Sequence, residues 1–482
     1  MFAPHNRSWK PLPSLELQSE RLPVHVWKVA SVAILGSLLA QIDSTVVNVS
    51  LSSLAVDLHS TLGAIQWVTS GYLLALALLM PLNGWLVDRV GTRTLYLWCF
   101  SAFTLTSALC GVAWSAESLI AFRILQGMAG GLLAPMGQLI MAQVAGRHMA
   151  KVLGYVAVPI LLGPILGPVI AGAILQHLTW RWLFLVNLPI GALGLVSAVL
   201  FLPRDEARPE QRTFDLQGFL LLSPALVLFL YGADHIGDRA GQACFALGLL
   251  MVGVFARVTL RKGRQALLDL ELFRRGVFPI SAQTQFLLNG IVYATQMLLP
   301  LYLIRSCGRT PAAVGLLLLP PGLGMLVLYP SLGWLTNRFG IRNVATSGSL
   351  VSLLTAIALA FLARHNVVGP VFAASLLLRG IGQGAIGVPS ISAAYNGVPK
   401  RELPMATTTL NIVQRLGGPT MTTFLATFLA WRMRFGQSPE AISNSFVQSF
   451  VLVSILHALL LISTMYLPKV LPQAVVESAP AR

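Results

Sequence analysis

The chain has 482 residues, 55% of them hydrophobic and only 10% charged, with a formal net charge of +16. Soluble domains carry roughly 25% charged residues, so a soluble protein of this length, which would need polar surface, is excluded. The basic excess does not point to nucleic acid either, because Lys and Arg gather in short segments between apolar runs, as the positive-inside rule places them in membrane proteins.

Residues 1–26 are polar and Pro-rich, with no secretory cleavage pattern after them, and read as a cytosolic tail. A helix needs about 20 apolar residues to cross the hydrocarbon. Fourteen segments qualify: 27–50, 64–87, 94–114, 118–143, 151–175, 181–202, 216–233, 241–260, 279–304, 312–335, 343–363, 368–393, 403–430 and 446–467. With the amino terminus inside, the inner segments hold 23 Lys and Arg, the outer ones seven and the span interiors three. Both termini are therefore expected in the cytosol.

The ten residues GWLVDRVGTR (84–93) return as GWLTNRFGIR (333–342), six of ten identical in place. Each copy follows a spanning segment, the second span and the tenth. A chain built from two related six-helix halves would put them eight spans apart only if two extra helices lay between the halves. The expected organisation is a bundle over 27–202, a linker with two inserted helices over 203–278, a second bundle over 279–467 and a cytosolic tail over 468–482. The basic stretch 261–275 is expected to form a short surface helix.

Several stretches carry a resemblance, in order along the chain. They are LLAQIDSTVVNVSL (38–51), the loop with Gly84, Asp88, Arg89, Gly91 and Arg93, FRILQGMAGG (122–131), GYVAVPILLGPILGPVIAG (154–172), WRWLFLVNLPIG (180–191) and NIVQRLGGP (411–419). Together they resemble the major facilitator superfamily, and within it the fourteen-helix drug:proton antiporter branch. The resemblance covers nearly the whole chain. It implies an all-α integral membrane protein of the major facilitator fold, two six-helix bundles plus two inserted helices. It implies a gating role for the 84–93 loop and an antiporter motif at Gly163, Pro164, Gly167, Pro168 and Gly172. By analogy it also implies a periplasmic adaptor and an outer-membrane channel as partners where the host has an outer membrane.

The residues have their own physical reading. Gly84 lets helices approach closely, and Gly91 supplies a turn with positive φ. Asp88, Arg89 and Arg93 form either a charge network holding helix ends together or a solvated loop; Asn337 replaces Asp88 in the second copy. Pro159, Pro164 and Pro168 each remove a backbone donor inside a span and bend it, with or without a gating consequence.

Four charged side chains fall well inside spans, away from their ends: Asp43, Arg123, Arg379 and Arg415. A charge at mid-membrane costs roughly 2.5–3.5 kcal/mol on insertion scales, so each needs a function or a partner. Asp43 is the one carboxylate well inside a span. It either couples proton entry to cargo exit, together with Arg123, or serves as a static partner of Arg123. The branch commonly carries further membrane acids in its second half, and none is present here, which argues against polyvalent cations as cargo. Polar and aromatic residues at mid-membrane depth include Asn48, Gln66, Trp67, Tyr72, Gln126, Gln138, Tyr155, Asn289, Tyr293, Gln296, Asn411 and Gln414. Of these Trp67, Tyr72 and Gln126 are the candidates for cargo contact.

There is no phosphate-binding loop, no nucleophile motif, no metal-ligand spacing among the eight histidines, and no disulfide pattern among Cys99, Cys110, Cys244 and Cys307. No cofactor, no metal and no enzymatic activity are expected. The expected function is proton-coupled export of small amphipathic drugs or toxic compounds across the inner membrane, with protons and the lipid bilayer as the other partners. The alternative is a dedicated exporter of one endogenous metabolite or lipid-like molecule.

Overall fold

The computed structural model describes residues 23–205, 213–263, 266–274, 276–365, 367–436 and 438–469, and among them there is no β-strand. Most of both expected tails and the middle of the 203–215 segment lie outside the described residues. The helices of the first half are α1 (Val24–Asp57), α2 (Leu62–Leu79), α3 (Asn83–Val90), α4 (Thr92–Gly111), α5 (Ala116–Ala145), α6 (Met149–His177), α7 (Trp182–Leu185) and α8 (Asn187–Phe201). Then come α9 (Leu216–Asp234) and α10 (Arg239–Lys262). The second half comprises α11 (Phe278–Arg305), α12 (Pro311–Leu317), α13 (Pro320–Leu328), α14 (Leu332–Phe339), α15 (Ile341–Arg364), α16 (Pro370–Asn396), α17 (Leu403–Met433) and α18 (Pro439–Met465).

Twelve helical segments among the described residues are long and apolar enough to cross a membrane. Fourteen were expected. The two not counted are α6 and α17, helices of 29 and 31 residues. Parts of α6 have side chains outside the description, and α17 is diluted by Thr407, Thr408, Thr409, Asn411, Gln414 and Arg415. The chain is a multi-pass membrane protein in either count.

Proline punctuates both halves at the same place. The second span breaks into α2 and α3 at a 3-10 turn over Met80–Leu82, and the tenth breaks into α13 and α14 at Tyr329–Ser331. Pro81 and Pro330 sit inside those turns, where each removes an amide donor from the helical ladder. Several helices starting on the side opposite the 84–93 and 333–342 loops are capped by short polar side chains. Thr61, Thr310 and Ser438 each accept from a backbone amide three residues on, and Ser115 and Ser118 form a capping box.

The core shows how the halves meet. On the side of the two repeated loops one apolar cluster runs through both halves, joining Val29, Met136 and Val152 to Leu332, Ala394 and Leu410. Toward the other side the clusters are separate, one around Val46 and Phe184, the other around Leu298 and Phe450. Polar contacts agree: Asn83 Nδ2 donates to Thr408 Oγ1 at 3.1 Å, and Gln138 Oε1 accepts from Tyr395 and Asn411 at 2.7 and 3.0 Å. The halves are closed together on the loop side. Gly84 permits this, since a β-carbon there would lie 2.6 Å from Met405 Sδ.

α9 and α10 form a tight hairpin, with the Phe229 and Phe245 rings 4.8 Å apart. α10 turns Leu247, Leu249, Leu250 and Val254 outward, as a lipid-facing helix does. α9 spans the seam between the halves. Its Tyr231 stacks on Trp67 of α2 at 6.2 Å, and Ala233 O accepts from Thr423 Oγ1 of α17 at 3.4 Å.

The segment after α10 corrects one expectation. Described residues of 261–275 continue α10 to Lys262 and then form a turn with a 3-10 helix, Leu270–Arg274, rather than a surface helix. The physical reason is its leucines: Leu267, Leu268 and Leu272 are buried, which draws the segment inward. Asp215 anchors it, accepting from Lys262 Nζ at 2.6 Å, Gly218 N at 2.9 Å and Leu267 N at 3.0 Å. Burial pushes the Asp215 carboxyl up, but the Lys262 ammonium and the two amides outweigh it and hold the group below its ordinary range. A depressed carboxyl stabilises the fold above its unfolded pKa of about 3.9 and loses that contribution as pH falls through the folded value. Acidification below about pH 4 should therefore expose the 263–274 turn to protease, and Asp215→Asn should make cleavage there insensitive to pH over that window.

Candidate functional site

The intramembrane charges come from helices that the packing brings side by side. Asp43 on α1 and Arg123 on α5 meet with Arg123 Nη1 2.6 Å from Asp43 Oδ2, their side chains 1% and 0% exposed. Gln126, one turn along α5, donates to Asp43 Oδ1 at 3.1 Å and accepts from Arg123 Nη1 at 2.7 Å. Asn187, at the start of α8, donates to the same Oδ1 at 2.9 Å and to Ser107 Oγ of α4 at 3.1 Å. Ser107 in turn donates to Phe184 O at 3.0 Å, and Arg123 Nε donates to Val68 O of α2 at 3.2 Å. The guanidinium lies over the Tyr72 ring, 4.1 Å from its centroid.

The result is a dry polar knot tying α1, α2, α4, α5 and α8. In such surroundings an ion pair repays its desolvation only when its remaining hydrogen-bonding sites are filled, and breaking one partner out of it costs about 3–5 kcal/mol. All three side chains on Asp43 are donors. A proton on either carboxyl oxygen would face a donor, so protonation requires the knot to rearrange.

Tyr72 and Gln126 thus belong to the knot. Trp67 does not join it; it is 44% exposed and packs on Tyr231 of α9. Sequence reasoning missed Asn187 and Ser107 as members. Asn187 is a polar residue in an apolar stretch already singled out, and that was the available signal.

Residues of the antiporter motif press α6 onto α1. A β-carbon at Gly163 would lie 2.8 Å from Gln41 Cβ, and one at Gly167 would overlap Thr45, whose hydroxyl donates to Gly163 O at 3.5 Å. Gly172 faces open space. The side chains of Pro164, Pro168 and Asn48 lie outside the described residues.

The loop motif is held by a residue not foreseen. Gly91 adopts φ +95°, and Asp205, just after α8, accepts from Arg93 N at 2.8 Å, Thr94 N at 2.9 Å and Thr94 Oγ1 at 2.8 Å. It is a cap for α4 supplied from more than a hundred residues away. Arg93 Nη2 reaches Val199 O at 2.7 Å, while Asp88 is half-buried and Arg89 exposed at the end of α3. In the second copy Gly340 has φ +80° and packs against Lys469 O, and Arg342 Nε donates to Leu467 O after α18. Each loop docks on the end of the last helix of its own half.

The second half repeats the arginine without its acid. Arg379 on α16 is buried and donates to Thr295 Oγ1 of α11, which takes toward Arg379 the place that Asp43 takes toward Arg123. Its Nη1 has no hydrogen-bond partner among the described residues, nor has Nε2 of buried His457 on α18. Arg415 on α17 lines a small cleft with Ala77, Met80, Leu226, Leu230, Ile412 and Leu416.

Comparison with known proteins places this architecture. The profile of the Major Facilitator Superfamily matches residues 33–422. The chain belongs to that superfamily. It is a membrane transporter of the kind that moves small substrates, not an enzyme. It is 32% identical over 426 residues to the multidrug resistance protein B homolog of Mycobacterium tuberculosis, covering 87% of this chain and 79% of that protein. It is 28% identical over 436 residues to the "Probable transport protein HsrA" of Haemophilus influenzae, covering 88% of this chain and 93% of that one. Among solved structures it is similar to the proton:xylose symporter XylE, with a TM-score of 0.58 at 16% identity over 90% of this chain and 95% of that one. That likeness is one of superfamily fold.

The Asp205 cap makes a direct prediction for this transporter. Asp205→Ala should cost about 0.5–2 kcal/mol of stability, as loss of a helix cap does. It should also speed tryptic cleavage at Arg89 and Arg93, read by gel and mass spectrometry.

Proposed function

We propose that this transporter exports amphipathic drugs or toxic compounds from the cytosol in exchange for protons, with Asp43 as the coupling carboxylate. The observation that carries this reading is the knot: Asp43 is a buried carboxylate surrounded by donors, and Arg123, Gln126 and Asn187 let go of it only if their helices shift. Arrival of a proton and rearrangement of α1 against α5 and α8 are then one event. The relative named for multidrug resistance supports the cargo class.

In this reading the Lys- and Arg-rich side is cytosolic, and the conformer is sealed there by Gly84 against Met405 and by Gln138 with Tyr395 and Asn411. The loops 84–93 and 333–342 act as gates, fastened to the ends of α8 and α18. Gly163 and Gly167 give α6 a smooth track along α1. Tyr72 and Gln126 report the protonation state of Asp43 to the cargo space, and Trp67 with Tyr231 closes its side.

The test is transport in vesicles under an imposed pH gradient. Asp43→Asn should lower gradient-driven dye efflux at least roughly tenfold, the scale on which a general proton-transfer group matters. Asp43→Glu, which keeps an acid, should retain a measurable part. Wild-type efflux in Asp43→Asn, with the same dependence on the gradient, would sink the proposal.

A further inference from the structure

We propose that the cargo is an amphipathic organic anion, its acid group held by Arg415 in the seam between the halves. The inference rests on the exporter reading above and adds the charge class of what is exported.

It starts from the balance of charge at mid-membrane. Asp43 neutralises Arg123 in the first half. In the second half Arg379 and Arg415 face no carboxylate among the described residues, and Arg379 reaches only the hydroxyl of Thr295. The repeat makes this pointed: the first half spends an acid on its arginine, and the second puts a threonine there. A transporter shaped for cations would place acids in its apolar interior, because a cation brings its own positive charge into the same low-dielectric space. Here the interior carries surplus positive charge, which attracts an anion and repels a cation.

Arg415 is where that surplus can be reached. Arg379 is 2% exposed, whereas Arg415 is only partly buried and has no hydrogen-bond acceptor among the described residues. Around it the cleft is apolar: Ala77 and Met80 from the α2 side, Leu226 and Leu230 from α9, Ile412 and Leu416 from α17 itself. The surface the cleft shows is wholly apolar, so the Arg415 charge borders it and meets a guest only once the cleft opens. A charge at the border of an apolar cleft is complementary to a molecule with one acid group and an apolar body. Exposed Tyr293 and Gln296 occupy one face of α11 in the same half. The cleft now encloses about 10 Å³, roughly one water, so a drug-sized guest enters only when α9 parts from α2 and α17. The contacts that would have to yield are the Trp67–Tyr231 stack, the 3.4 Å bond from Thr423 and the apolar packing of buried Leu222 and Leu226.

The link to the proton is short. Arg415 is within electrostatic reach of Tyr72, and Tyr72 lies under Arg123, the partner of Asp43. An anion on Arg415 is therefore within electrostatic reach of the knot.

The experiment uses two probes with the same apolar body and opposite charge, 1-pyrenebutyrate and 4-(1-pyrenyl)butyltrimethylammonium. Equilibrium binding to the purified transporter in detergent is measured first, then gradient-driven flux in phosphatidylcholine vesicles. The wild type should bind and export pyrenebutyrate in preference to the ammonium probe. Arg415→Gln should weaken pyrenebutyrate binding roughly tenfold, the loss of one charge-assisted hydrogen bond, while Arg415→Lys retains most of it. Leu230→Trp, which fills the cleft and keeps the charge, should also weaken binding. Binding of neither probe, preference for the cation, or unchanged pyrenebutyrate binding in Arg415→Gln would overturn the inference. The two readings fail separately. Arg415-dependent binding without proton-driven flux keeps the anion and ends the exporter reading. Proton-driven export of the cation does the reverse.

Discussion

A carboxylate and a guanidinium 2.6 Å apart, with essentially no solvent exposure, set the terms for the whole first half. Neither group is affordable alone in hydrocarbon, and together they still need their other hydrogen-bonding sites filled. That need explains why polar residues from separate helices converge on one point. Gln126 and Asn187 fill Asp43 Oδ1, Ser107 orients Asn187, and the Tyr72 face covers the cation. The helices that meet there are thereby fixed in rotation and depth. The same crowd of donors on Asp43 makes the arrangement brittle to the arrival of one proton, which is what the proposed coupling requires.

The two halves share a plan but not a charge. Both break a span at a proline, both turn a loop on a glycine of positive φ, and both bury an arginine at the start of the corresponding helix. Asp43 and Asp88 of the first half are matched by Thr295 and Asn337 in the second, so the negative charge is concentrated on one side of the pseudo-symmetry axis. In the proposed function, proton handling and cargo handling are then divided between halves rather than shared by one acid. The α9–α10 hairpin adds a third element, laid across the seam that the two bundles leave open.

Much of this was legible in the sequence because charges in apolar runs are conspicuous. Asp43 and Arg123 stood out for that reason, and the ten-residue repeat gave the pseudo-symmetry. Neutral members of the knot were harder, since an asparagine such as Asn187 carries no charge to betray it and its partner is 144 residues away. Trp67 was grouped with Tyr72 by its depth in the span, yet the helix turns it to the opposite side, onto α9. The 261–275 segment reads as a surface helix because it is basic, with Lys and Arg flanking its leucines. Tertiary burial of those leucines, with Asp215 as anchor, draws it into a turn instead. α17 shows the limit of hydropathy, because a helix lining the interface between halves can be long and still too polar to score as a span.

Each repeated loop is moored to the end of its own bundle, but with different rope. The first offers the carboxylate of Asp205 as acceptor; the second sets the Arg342 side chain on the main-chain oxygen of Leu467. A carboxylate can be lost by a single codon change, and its absence is visible to anyone reading the letters. A peptide carbonyl belongs to every residue, so no substitution deletes it and no letter records it. The acceptor of the second tether is therefore hidden from any comparison of sequences, and only its donor, Arg342, shows. Of the two fastenings, the second is undone from the loop and the first from the helix end.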